Sequence, residues 1–63
     1  MKEETIVKIM LNRSVKGQST FTNYTTALNY AKRKAEEGYT CLILRLVNGK
    51  EWVKLYMNPP ENL

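Results

Sequence analysis

The chain has 63 residues, a formal net charge of +4 and one cysteine, Cys41, which is enough for one small domain without a disulfide. A core of this length rarely supplies more than about 3–5 kcal/mol of net stability, so support from a partner or from self-association is expected. Met1-Lys2-Glu3-Glu4 lacks the basic start of a signal peptide, and no apolar run approaches the ~20 residues of a membrane span. These features predict a basic, cytoplasmic protein without membrane contact.

The first half of the chain contains one clear strand. Residues 1–4 are polar and are expected to fray, whereas residues 5–11 are rich in β-branched and apolar side chains. Alternation places Val7, Ile9 and Leu11 on one side of this strand, opposite Ile6, Lys8 and Met10. Residues 12–18 are predicted to form a loop. Residues 19–22 fit either a short edge strand, with Phe21 turned inward, or a continuation of the loop.

A helix is predicted over residues 24–37. Asn23 suits the N-cap position, with Thr22 as the competing choice, and Gly38 suits the left-handed residue after the last turn. One stripe at helical spacing faces the sheet, and it consists of Tyr24, Ala27, Leu28, Ala31 and Ala35. In the basic run at residues 32–34, Lys32 and Arg33 each have a glutamate four residues further on, which indicates a solvated face rather than a nucleic-acid helix.

A β-hairpin is predicted over residues 39–57, with a two-residue type I′ turn at Asn48-Gly49. This register sets Arg45 opposite Trp52. One face of the hairpin then reads as the core face, and it carries Leu42, Leu44, Leu46, Val53 and Leu55. The other face is aromatic, aliphatic and basic, and it carries Cys41, Ile43, Arg45, Val47, Trp52, Lys54 and Tyr56. One extra residue would exchange the faces of one strand, so the assignment depends on the register.

The predicted fold is a single α+β domain over residues 1–58, in the order β-(β)-α-β-β, followed by a flexible tail at residues 59–63 that begins with Pro59-Pro60. One helix packs on the leucine face of a mainly antiparallel sheet of three or four strands. The position of the first strand is left open. A right-handed crossover would make it parallel to the strand that begins at Tyr39, if those two are neighbours.

The residue types argue against an enzyme. The sequence contains neither histidine nor aspartate, and its six glutamates do not converge at a spacing suited to general acid–base catalysis. It also contains no glycine-rich phosphate loop and no Cys/His cluster. We therefore predict a non-enzymatic protein without catalytic residues, metal, cofactor or small-molecule substrate.

The uncovered sheet face is the candidate site, because a single helix covers one face of a sheet and an exposed apolar patch usually serves binding. We expect a protein–protein interaction there, with a homodimer as the first candidate. The alternative is nucleic-acid binding, in which Trp52 and Tyr56 stack bases and the basic side chains contact phosphates. The predicted contact residues are Lys8, Ile43, Arg45, Trp52, Lys54 and Tyr56, together with Arg13 and Lys16 from the predicted loop at residues 12–18.

The middle of the chain resembles small phage-encoded proteins and short bacterial domains in its layout. In these a strand leads to Thr or Asn, then to a helix with alanines four residues apart, then to Gly and further strands. The matching residues are Asn23, Ala27, Ala31 and Gly38. This resemblance implies an origin in a phage or mobile element and a role in binding a macromolecule. It assigns no functional residue.

Overall fold

The computed structural model of the chain describes residues 2–60, so Met1 and residues 61–63 of the predicted tail lie outside the described residues. The predicted α+β fold is confirmed: one helix lies on a four-stranded antiparallel sheet. Among the described residues, no helix is long and apolar enough to cross a membrane. The elements are β1 (Glu3–Leu11), β2 (Ser14–Phe21), α1 (Tyr24–Glu36), β3 (Thr40–Val47) and β4 (Lys50–Met57).

The strand order is β2-β1-β3-β4, and β1 pairs antiparallel with both of its neighbours. The conditional expectation that β1 runs parallel to β3 is therefore wrong. The reason is that β2 is a full strand, which reverses the chain before the helix begins. Helix α1 consequently connects β2 with β3, which run parallel to each other on either side of β1.

Two predictions for the first half of the chain are wrong, because the strands are longer than their residue types indicate. The expected loop at residues 12–18 is a two-residue turn at Asn12-Arg13, where φ is 52° and 66°, and β2 begins directly after it. The expected fraying stops at Glu3, which pairs with Val47. Beyond that pair the Asn48 amide donates to the Lys2 carbonyl at 2.8 Å.

The helix forms as predicted, with its last residue at Glu36 rather than Glu37. The side chain of Asn23 accepts a hydrogen bond from the Thr26 amide at 3.1 Å, which satisfies one of the free N–H groups of the first turn. Gly38 follows the helix with a φ of 104°, a value that glycine adopts without steric cost. Asn23 and Gly38 thus define the two ends of the helix.

The core lies between α1 and the two central strands. Ala27 and Ala31 of the helix stripe are fully buried in one cluster with Val7 and Ile9 of β1 and with Cys41 and Ile43 of β3. Of these, Ile43 pairs directly with Val7, and both have no exposed surface. Because alternate residues of a strand face opposite sides, Leu42, Leu44 and Leu46 point away from the helix. The prediction that these leucines form the core face is wrong.

A β-bulge in β4 separates the leucines of β3 from Val53 and Leu55, the other members of the predicted core face. The turn at Asn48-Gly49 has the two residues and the positive φ values of the prediction, 52° and 80°. Leu46 pairs with Glu51 as expected, but Arg45 pairs with Val53, so Trp52 is an extra residue in β4. The predicted pair of Arg45 and Trp52 therefore does not form. Beyond the bulge every residue of β4 meets a partner one place away from the predicted one.

The two hairpins are built alike. In the first, Ile9 pairs with Gly17 and Met10 with Val15, so Lys16 is an extra residue in β2. Lys16 and Trp52 each lie three residues after their turn, and each lies on an edge strand. The sheet therefore has an approximate two-fold axis through the central pair of Val7 and Ile43. Bulges at both edges also hinder the addition of further strands.

Candidate interaction face

The sheet side opposite the helix is named here the open face, because none of the described residues covers it. Its members are the residues that alternate with the core positions, together with their partners in register. They are Glu4, Ile6, Lys8, Met10, Val15, Gln18, Thr20, Thr40, Leu42, Leu44, Leu46, Glu51, Lys54 and Tyr56.

The centre of the open face is apolar. Ile6 pairs with Leu44 on the two central strands, and Lys8 pairs with Leu42 one step along. These four side chains are only half-buried, because nothing but their neighbours in the sheet shields them. At the β4 edge Tyr56 pairs with Leu42 and is 55% exposed. Seven of the fourteen members are aliphatic or aromatic, and four of them adjoin at the centre of the face as one exposed apolar patch: Ile6, Leu42, Leu44 and Leu46.

The charges on the open face balance. Glu4 and Glu51 oppose Lys8 and Lys54, although the whole chain has a net charge of +4. Glu4 contacts one further cation, because its Oε1 lies 3.1 Å from Nζ of Lys2, whose side chain is 80% exposed. The positive charge of the protein is therefore concentrated elsewhere, and the open face has little excess charge to attract phosphates.

Arg45 lies on the helix side, contrary to the prediction. Its Nε and one terminal nitrogen lie 2.7 Å from Oε1 of Glu3, and its guanidinium lies 5.1 Å from the ring centroid of Tyr24. The Arg45 and Glu3 side chains are 36% and 33% exposed. This arrangement neutralises Arg45 beside the core and removes it from any contact on the open face.

Trp52 also lies on the helix side. Its side chain is 71% exposed, and it lines a cleft of about 490 Å³ with Glu3, Arg45, Val47 and other residues near the β3–β4 turn. Glu3, Arg45 and Val47 face the helix side, so Trp52 belongs to that side. The predicted site therefore separates into two groups, and only Lys8, Lys54 and Tyr56 lie together on the open face.

The remaining predicted contact residues lie apart. Ile43 is fully buried in the core, so its predicted role as a surface contact is wrong. Arg13 occupies the β1–β2 turn, where it lines a cleft of about 480 Å³ beside Gly38. Lys16 lines a smaller cleft on the helix side with Lys34. The bulge residue Lys16 thus lies on the helix side, as the bulge residue Trp52 does.

The core contains two polar side-chain groups, the thiol of Cys41 and the hydroxyl of Thr5. The thiol of Cys41 is fully buried and donates a weak hydrogen bond to the Ala31 carbonyl, with Sγ and oxygen 3.4 Å apart. Burial raises the pKa of the Cys41 thiol, and the nearby Lys34 ammonium lowers it by less. Thr5 is buried with its hydroxyl unpaired. Across residues 2–60 no three potential ligands are grouped as a metal ion requires.

The side chains that the sequence interpretation missed are Leu42, Leu44 and Leu46. The alternation along β3 is as predicted, but three leucines form a more apolar set than Cys41, Ile43 and Arg45, and this difference favours the leucines as the core face. The signal that favours the opposite choice is long-range: Glu3 and Tyr24 neutralise and cover Arg45 on the helix side.

Comparison of the chain with protein-family models, curated proteins and solved structures returned no match. The origin in a phage or mobile element stays a prediction.

Proposed function

We propose that the chain is a small non-enzymatic binding module whose open face associates with a second copy of the same chain. The observation that carries the proposal is the row of three leucines on the central strand β3, which the single helix leaves uncovered. Excluding water from apolar side chains at the middle of a sheet is favourable, so a partner that covers them is bound more tightly. A reducing, cytoplasmic setting, consistent with the lone buried thiol, belongs to the same proposal.

The size of the open face fits a small dimer. Four strands at about 4.8 Å spacing give a width of about 19 Å, and seven residues at about 3.3 Å give a length of about 23 Å. The flat footprint, with its polar and apolar members together, is therefore roughly 400 Å² per protomer. Side-chain relief enlarges the accessible area of such a footprint, which brings two protomers near the roughly 1,200 Å² of a specific interface.

The charge balance supports a second copy over nucleic acid. A nucleic-acid surface gains affinity from an excess of lysine and arginine, whereas the open face has two lysines and two glutamates. Arg45, the best predicted base or phosphate contact, is paired with Glu3 on the other side. The features that favour nucleic acid are Tyr56, Lys8 and Lys54, and of these only the two lysines would make binding salt-dependent.

The non-enzymatic part of the proposal rests on the chemistry of the available groups. Cys41 is the strongest nucleophile by residue type, and it is fully buried with a raised pKa. A buried neutral thiol neither reaches a substrate nor forms the reactive thiolate. The described glutamates lie on β1, on β4 and at the end of α1, and none of them is among the groups that shift the pKa of this thiol.

The experiment is a measurement of molecular mass against concentration by sedimentation equilibrium. The wild type is expected to change from one chain to two as concentration rises, and Leu44→Glu is expected to remain monomeric because it buries a carboxylate at the interface centre. Thr25→Glu, on the exposed side of α1, is the matched control and should dimerise as the wild type does.

Titration of the protein with single-stranded DNA and RNA at low salt separates the two partner classes. The proposal predicts no binding that depends on Lys8 and Lys54. A wild-type protein that stays monomeric at millimolar concentration, or that binds nucleic acid through these lysines, would contradict the proposed function.

A further inference from the structure

The open face contains a self-complementary charge pattern along β1. Resting on the proposed function, we infer that Glu4 of each protomer forms an ion pair with Lys8 of the other, and that this reciprocal pair fixes how the two faces pack. The pattern is Glu4, Ile6 and Lys8 on the same side of one strand. The order of the charges, negative then positive, is reversed when the strand is followed in the opposite direction. Two antiparallel copies of the strand therefore place unlike charges opposite each other.

Lys8 requires a counter-charge once the face is covered. It is half-buried, lies between Ile6 and Met10 on its own strand, and pairs with Leu42 and Gln18 on the neighbouring strands. An ammonium group that is buried without a partner is strongly destabilising. Glu4 of the same chain is four residues away, or about 13 Å along an extended strand, and cannot reach Lys8. The counter-charge must therefore come from the second copy.

One two-fold arrangement of the two copies places a glutamate of the second copy opposite Lys8. A two-fold axis in the interface plane, perpendicular to the strands at the level of Ile6, lays every strand antiparallel over its own copy. Glu4 then faces Lys8 of the second copy, and Lys8 faces the second Glu4. Leu44 pairs with Ile6 in register, so Leu44 meets its own counterpart at the axis. Leu42 and Leu46 of the two chains meet on either side of it.

The other face-to-face arrangement leaves the charges unpaired. An axis parallel to the strands, between β1 and β3, lays β1 over β3 of the second copy. Since Lys8 lies level with Leu42 and Glu4 with Leu46, each charge would then be buried against a leucine. The desolvation cost of two lysines and two glutamates without ion pairs favours the perpendicular axis.

Two other lysines are compatible with this arrangement. Lys54 lies level with Leu44 on the exposed edge strand β4, where solvent screens its repulsion with its counterpart. Packed sheets also cross at about 30°, which separates their edges. Lys2 contacts Glu4 at 3.1 Å, but its side chain is 80% exposed, so this surface pair contributes little and competes weakly.

The test is a charge-exchange experiment with the single variants E4K and K8E. Each alone places like charges opposite each other at both ends of the pattern, so each homodimer is expected to weaken by about tenfold or more. A mixture of the two restores unlike charges at both contacts, and native mass spectrometry should detect a heterodimer. The double variant E4K/K8E should dimerise within about threefold of the wild type, because the reciprocal pairs are restored with opposite polarity.

Lys32→Glu is the matched control for the charge change, because Lys32 is exposed on α1 away from the open face. Far-UV circular dichroism shows whether each variant is folded. If the wild type dimerises but E4K and K8E neither weaken it nor form a heterodimer on mixing, the ion-pair inference is wrong and the proposed function stands. If the wild type does not dimerise at all, the proposed function fails.

Discussion

Ile43 and Leu44 are neighbours on β3 that face opposite sides of the sheet, and they test the assignment of the two faces. Ile43 has no exposed surface and packs in the cluster of Val7, Ala27 and Ala31. Ile43→Val deletes one buried methylene, which costs about 0.8 kcal/mol in transfer free energy. With the small cavity that remains, the free energy of unfolding should fall by about 0.5–1.5 kcal/mol.

That loss is large for this chain. A change of 1 kcal/mol lowers the midpoint of thermal unfolding by roughly 4–8 °C in a domain of 60–100 residues. Leu44→Val is the matched control, since it also deletes one methylene but from a half-buried side chain on the open face. At concentrations where the protein is monomeric, Leu44→Val should cost less than about 0.5 kcal/mol, partly because valine favours a strand.

The measurement is urea unfolding followed by circular dichroism at low protein concentration, because Trp52 is 71% exposed and reports poorly on the core. A larger loss for Leu44→Val than for Ile43→Val would refute the assignment. It would mean that the leucines face the helix and that the open face is the one first predicted.

Three further predictions test the turn, the helix cap and the buried thiol. Gly49→Ala should lower the free energy of unfolding by about 1–2 kcal/mol, because φ is 80° there, whereas Gly17→Ala, in a strand with open space around it, should not destabilise the fold in the same urea assay. Asn23→Ala should cost about 1 kcal/mol through loss of the cap, and Asn29→Ala, exposed within the helix, should be neutral or stabilising in thermal unfolding. Because burial raises the pKa of Cys41 above its usual value of 9.0, the unfolded thiol loses its proton first as pH rises. Stability should therefore decline near pH 9 more steeply in the wild type than in Cys41→Ala, and equal slopes would contradict this linkage.

The elements set by local chemistry are the ones that the sequence predicts well. The helix follows from alanines at helical spacing between a capping asparagine, Asn23, and Gly38. The second turn follows from Asn48-Gly49, which tolerates the positive φ values found there. Each of these depends on residues within a few positions of one another, so no information about distant parts of the chain is needed.

The facing of β3 depends on distant residues and is therefore not predictable in this way. No residue type marks the bulge at Trp52, yet this single residue shifts the partners of every later position in β4. Arg45 is compatible with the helix side only because Glu3, 42 positions away, accepts its hydrogen bond at 2.7 Å. Strand β2 was partly missed for a related reason, because an edge strand with Gly17 and polar neighbours lacks clear apolar alternation.

The effect on the candidate site is specific. Lys8, Lys54 and Tyr56 keep their predicted position on the uncovered face, whereas Ile43 and Arg45 exchange places with the leucines. The face becomes more apolar and less basic by this exchange. The balance between the two partner classes accordingly moves from nucleic acid toward protein.

The most direct test of the central claim is a footprinting measurement of which sheet side becomes covered at high concentration. Methionine oxidation offers a paired probe, because Met10 lies on the open face while Met57 packs against the core on the helix side. Association through the open face predicts that the oxidation rate of Met10 falls as protein concentration rises and that the rate of Met57 stays constant. A constant rate at Met10, or protection of Met57 alone, would contradict association through the open face.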